Sequence, residues 1–232
     1  MPTKKVSRKK LLNEPDEFIT TTGKVIQFFK THQRQVSLAA TIALVVVAAV
    51  AGGVYYLRWQ EGKALTVQDQ ALQMYQDAYR TSMENPAGAK KEDYQKPLEK
   101  FKESLAVYSR GRTGQVSEIF IGHCYYAMKD YDQALAAYTK CLDGPFRNLA
   151  VNGLAYIFEA KGDYQKALEN YTRNMEDRNQ PYQVEAMLGA ARCYEALKQQ
   201  PKALEVYEKA LAQAPKSTMA EFIRWKVSEL KG

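Results

Sequence analysis

The sequence predicts an all-α protein: a single N-terminal transmembrane helix, then an α-solenoid of antiparallel helical hairpins closed by a C-terminal capping helix. Three observations predict it. Val36 to Leu57 is an apolar run without a charge. An Ala followed four residues later by a Tyr recurs at 134/138, 167/171 and 203/207, at spacings of 33 and 36 residues. No stretch sustains the period-two alternation of a half-buried strand. With 46% apolar and 25% charged residues among 232, the composition is that of a folded chain, neither disordered nor collagenous.

Residues 1–35 form a basic tail, expected in the cytoplasm. They hold eight cations (Lys4, Lys5, Arg8, Lys9, Lys10, Lys24, Lys30, Arg34) against three acids (Glu14, Asp16, Glu17). The rest of the chain has 25 basic and 23 acidic residues, so the net charge of +7 describes a tail and not a nucleic-acid-binding face. Residues 1–15 read as a disordered segment suited to anionic headgroups. Residues 16–35 place Phe18, Val25, Ile26, Phe28 and Phe29 at loosely helical spacing, either a short interfacial helix or a plain juxtamembrane spacer.

The span at 36–57 is about 33 Å long as a helix, against a hydrocarbon core of about 30 Å. Arg34 and Arg58 bracket it, and Tyr55, Tyr56 and Trp59 sit at its far end, where amphipathic rings favour the headgroup layer. The excess of Lys/Arg before it keeps the N-terminus inside and sends the remainder across. Ala49-Val50-Ala51 also fits a signal-peptide cleavage site, but the leading segment is too long for one and the apolar run continues into VYYL. Ala48, Ala49, Gly52 and Gly53 have small-xxx-small spacing, a helix-packing face or a chance feature of an Ala-rich span.

Residues 58–114 are expected to hold a connecting helix and a degenerate first hairpin, with Tyr94, Pro97, Phe101 and Leu105 at the positions of Tyr131, Ala134, Tyr138 and Leu142. Full repeats follow at 115–147, 148–183 and 184–216. Each has a small residue in its first half (Gly122, Ala155, Ala191), an aromatic three residues later (Tyr125, Phe158, Tyr194), the Ala–Tyr pair in its second half, and a closing proline (Pro145, Pro181, Pro215). Asp130 and Asp163 sit in the turns as helix caps, and Pro201 is expected to open its second helix. Residues 217–232 form the capping helix, with a capping-box pattern at Ser217–Glu221 and Phe222, Ile223, Trp225, Val227 and Leu230 along it.

These units resemble the tetratricopeptide repeat. In that family the second, fifth, ninth and twelfth residues of each unit face a concave groove. The resemblance carries those roles to Val116, Ile119, His123 and Tyr126, then Leu149, Asn152, Tyr156 and Glu159, then Glu185, Leu188, Arg192 and Glu195. Ile119, His123, Tyr126, Asn152, Tyr156, Leu188 and Arg192 are the candidate peptide-binding residues, in a groove suited to an extended peptide or a partner's helix. The alternative for Tyr126 and Tyr156 is packing between repeats. The carboxylate clamp of chaperone-binding relatives is not expected, because only Asn152 and Arg192 offer suitable donors.

No nucleophile–base set, Gly-rich phosphate loop or supported carboxylate pair is present, so no enzyme, cofactor or small-molecule substrate is expected. Cys124, Cys141 and Cys193 read as small buried hydrophobes, and His123 stands apart from other metal-ligand types. The whole layout of tail, span and repeats resembles the bacterial ancillary Sec-translocon subunits. That resemblance implies a single-pass inner-membrane adaptor with periplasmic repeats, whose partners are translocon subunits, periplasmic chaperones or secretory clients. Alternatives are a scaffold for envelope assembly (cytochrome maturation, cell wall or pilus biogenesis) and an organelle-surface receptor with its repeats in the cytosol.

Overall fold

The computed structural model describes residues 17–86, 90–175 and 182–232. The predicted tail segment 1–15 and Pro181 lie outside the described residues. Two compact units divide the chain, Met1–Arg58 and Trp59–Gly232. Among the described residues there are ten α-helices, one 3-10 turn and no strand.

The first unit contains α1 (Glu17–Thr31) and the start of α2 (Gln33–Glu84). α2 is long and apolar enough to cross a membrane, by length and composition. Its most apolar 18 residues have a mean hydropathy of 2.3, and none of them is buried. Leu44, Val47 and Tyr55 stand 70%, 66% and 73% exposed, the reverse of what a helix in a soluble core does.

In the second unit the pattern of α2 changes. Its buried residues are Ala64, Gln68, Ala71 and Ala78, spaced by four, three and seven, a single small-residue stripe on one helix face. A 3-10 turn (Lys91–Tyr94) leads to α3 (Gln95–Val107), which buries Leu98 and Phe101 against that stripe. Hairpins follow: α4 (Gly111–Ala127) with α5 (Tyr131–Thr139), α6 (Arg147–Ala160) with α7 (Tyr164–Met175), and α8 (Gln183–Ala196) with α9 (Gln200–Gln213). α10 (Ala220–Lys231) closes the array. From α3 to α10 each helix packs on the next in sequence, and α4 also touches α6 and α6 touches α8, which is the nearest-neighbour order of a solenoid.

The turns repeat at the same spacings as the core. Lys129, Gly162 and Lys198 all have φ near +60 to +77°, the left-handed geometry that ends one helix and reverses the chain. Asp130 and Asp163 then accept the backbone N–H of Gln133 and Lys166, as expected of N-caps. Two local expectations are corrected. Pro201 is the second residue of its helix, one later than predicted, because Gln199 takes the cap position. Ser217 does not cap α10, which begins after Met219; its hydroxyl is buried without a hydrogen-bond partner among the described residues.

Three tyrosines hold the hairpins at close range. The ring of Tyr138 lies between Gly122 on α4 and Gly153 on α6; a Cβ at either glycine would fall 2.6 or 2.5 Å from it. Tyr171 fills the space at Gly189 in the same way, at 2.3 Å. With Tyr207 they are almost wholly buried. The first hairpin has Phe101 at this position, stacked on Phe120 at 5.1 Å. There a buried polar cluster adds register: Gln68 donates to the Thr113 carbonyl and the Ser117 hydroxyl, and Ser104 donates to the Ala64 carbonyl. Nothing in the apolar periodicity announced that cluster.

Gly189→Leu therefore places a side chain where Tyr171 already sits, an overpacking that costs about 3 kcal/mol or more. In residues 59–232 made alone, the melting temperature should fall by about 10 °C, whereas Ala212→Leu on the exposed side of α9 should barely move it.

Candidate functional site

The site is the face made by the first helices of the hairpins: the last part of α2, then α4, α6, α8 and α10. Its chemistry starts in the core. Burial pushes the hydroxyls of Tyr138, Tyr171 and Tyr207 above their usual range, so each stays protonated and needs an acceptor. Tyr171 donates to Glu159 Oε2 and Tyr207 to Glu195 Oε1, both at 2.6 Å; Tyr138 Oη lies 2.6 Å from His123 Nδ1. Burial also holds His123 down at about 4, so its ring is neutral.

Each carboxylate then meets a cation from the next first helix. Arg192 Nε and Nη2 donate to the two oxygens of Glu159 at 2.7 and 2.9 Å, and Lys226 Nζ donates to Glu195 Oε2 at 2.8 Å. Glu159 and Glu195 stand in the same register as each other, each 12 residues ahead of its tyrosine. That spacing was legible in the sequence; the cations that answer it, Arg192 and Lys226, share no such register.

Toward the other end the face is aromatic. Tyr75 of α2 meets Phe120 at 5.2 Å and stacks with Tyr79 at 6.3 Å. Tyr126 lies 5.8 Å from Tyr131 and 6.3 Å from Tyr156, ring centre to ring centre. Tyr79 is half exposed. Tyr75 and Tyr79 belong to the degenerate hairpin and were missed as site residues.

Of the seven predicted groove residues, His123, Tyr126, Tyr156 and Arg192 come together on this face. Ile119, Asn152 and Leu188 lie one layer beneath, each buried. Asn152 is committed there: its Oδ1 accepts from Asn174 Nδ2 at 2.7 Å. Arg192 is committed to Glu159.

The thiols of Cys124, Cys141 and Cys193 are free and buried, and burial pushes them up to about 12, 11 and 12, away from nucleophilic thiolate. Among the described residues no three His, Cys, Asp or Glu side chains are placed to hold a metal ion.

Two family models, both for the tetratricopeptide repeat, match residues 147–216 and 119–143. No curated protein matches this sequence. Among solved structures, a tetratricopeptide repeat protein from Parabacteroides merdae ATCC 43184 is 20% identical over 69% of this chain and 61% of that one, with a TM-score of 0.50. The nearly identical TPR-like repeats described for Podosopora anserina give 17%, 70%, 86% and 0.48. MamA from Desulfovibrio magneticus RS-1 gives 16%, 70%, 88% and 0.46. The Parabacteroides likeness shows the repeat fold alone.

Glu159→Ala strands both a buried tyrosine hydroxyl and a partly exposed guanidinium, so it should destabilise residues 59–232 by about 1–2 kcal/mol in a denaturant titration. An unchanged midpoint would make Glu159 a free groove residue. The proton linkage of His123 has the opposite readout. Its folded value lies below the ordinary 6.5, so stability is intact above about pH 6.5 and is lost as pH falls toward 4. His123→Gln should lose about 3 kcal/mol less than the parent across that window.

Proposed function

From a chain that carries tetratricopeptide repeats, and is by that fold a protein–protein interaction scaffold, we propose a membrane-anchored adaptor with an extracytoplasmic repeat domain. It assists protein translocation or chaperone docking at a bacterial inner membrane. One observation carries the reading: the most apolar stretch of α2 has no buried residue, in the same chain whose repeats bury Tyr138, Tyr171 and Tyr207. Water is a poor solvent for that stretch and a bilayer is a good one. The eight cations ahead of it support an N-terminus in the cytoplasm and repeats in the periplasm.

The repeat domain offers partners the aromatic half of the first-helix face. Its charged half is already paired within the fold, so the cations and carboxylates there fix the array more than they advertise it. Tyr126 and Tyr156 present rings to an extended peptide or helix, with specificity from the flanking polar groups. His123 and Arg192 flank them. Partners of this adaptor are translocon subunits, periplasmic chaperones or secretory clients.

A C-terminal tag and protease treatment test the topology. The tagged chain should stay membrane-bound and full length in intact cells, and be digested once the outer membrane is opened. Protection until full lysis would put the repeats in the cytoplasm and overturn the proposal; a shortened, soluble band would make the span a signal peptide. Photo-crosslinkers at Tyr126 and Tyr156 should capture translocon subunits or periplasmic chaperones, and a probe at Lys209 should not. Capture of envelope-assembly proteins instead would redirect the adaptor to that machinery.

A further inference from the structure

The first unit contains a surface that the anchor does not explain. At about 100° per residue, Val25, Ile26, Phe28 and Phe29 occupy an arc of about 160° on α1. All four are exposed, Phe28 by 57% and Phe29 by 52%. Lys24 and Lys30 fall about 40° beyond the two edges of that arc. Their side chains, and that of Arg34, make no hydrogen bond or ion pair with the described residues. Cations at both margins of an apolar face match a helix lying in a membrane surface, rings toward the acyl chains and ammonium groups reaching up to phosphate.

The end of α1 and the start of α2 also line an open, shallow cleft of about 620 Å³, with Ile26, Phe29, Val36 and Ala40 as apolar walls and Lys30, Gln33 and Ser37 beside them. An acyl chain fits the walls, and a headgroup phosphate fits the lysine. We infer that α1 is an interfacial helix binding anionic phospholipid of the cytoplasmic leaflet, with the α1–α2 cleft as its headgroup and acyl subsite. Lipid, and not a second copy of the chain, is the occupant because cations stand at both margins of the face; two such faces packed together would bring their lysines side by side. The inference rests on the proposed anchor, since α1 leads into the span.

The test uses the full chain with Trp59→Phe, Trp225→Phe and Phe29→Trp, reconstituted in vesicles of phosphatidylglycerol and phosphatidylcholine in which one lipid at a time is brominated. Quenching by brominated phosphatidylglycerol should exceed that by brominated phosphatidylcholine at least about twofold, since each surface cation enriches anionic lipid by up to about fivefold. Adding Lys24→Gln, Lys30→Gln and Arg34→Gln, none of them a buried core residue, should bring the ratio close to one. Equal quenching by both lipids before those changes overturns the anionic preference. No quenching by either lipid, in protein that resists carbonate extraction, overturns the interfacial placement and leaves the anchor standing. A crosslink between two copies at position 29 assigns the face to self-association and overturns the lipid reading. Extraction by carbonate removes the anchor itself, and the inference with it.

Discussion

The rest of the repeat domain depends on one contact, a tyrosine ring laid against the bare backbone of a glycine. Tyr138 needs Gly122 and Gly153 to be glycine, and Tyr171 needs Gly189, because a single methyl group at any of them would overlap the ring. A close approach of this kind sets the distance between successive first helices. It also aims the phenol toward the first-helix face, where a hydroxyl that burial keeps protonated must find an acceptor. Glu159 and Glu195 supply it, and a half-buried carboxylate then calls for a cation, which the next hairpin provides as Arg192 or Lys226. Packing in the core thus dictates charge on the surface, one hairpin at a time.

The same logic explains why the face is not uniform. The first hairpin has Phe101 where the others have tyrosine, so no hydroxyl emerges there and no acid–base pair follows. Tyr75 and Phe120 fill that end with rings instead. In the next hairpin His123, neutral through burial, accepts the role of the carboxylate without its charge. Charge enters only at Glu159. The aromatic end and the ionic end are consequences of which residue fills the buried aromatic position, and a partner meets the result.

Much of the fold was legible because it is periodic. The Ala134, Ala167 and Ala203 register, with its tyrosines, placed three hairpins, and a charge-free run placed the apolar helix. What escaped was everything that depends on contact between registers. Gly153 and Gly189 look like ordinary helix glycines until the preceding hairpin's tyrosine is set against them. Gln68, Ser104, Thr113 and Ser117 are polar residues in helices, unremarkable until three helices bring them together out of water. Asn152 and Arg192 were both expected as groove donors, and both are spent on neighbours: Asn152 on Asn174 across its own hairpin, and Arg192 on Glu159 of the preceding repeat. A family pattern locates a face; it does not say which side chains on that face are already taken.

The proposed anchor and the repeats meet different solvents, and α2 carries the change within one helix. Before Trp59 its apolar residues cover every side, which suits a medium that is apolar all round. After it, small residues recur at Ala64, Ala71 and Ala78 with Gln68 among them, a stripe that only a packed neighbour can satisfy. Continuous hydrophobicity and striped hydrophobicity are both stable as helix, so secondary structure alone cannot separate them. The period can. Where the stripe begins, hydrogen bonds to the next helices begin as well: Glu61 accepts from Thr113, and the carbonyl of Ala64 from Ser104. A polar contact of that kind has no place in hydrocarbon unless protein surrounds it. The hydrogen bonds of the folded domain therefore begin at Glu61, within one turn of Trp59, the last aromatic residue of the apolar run.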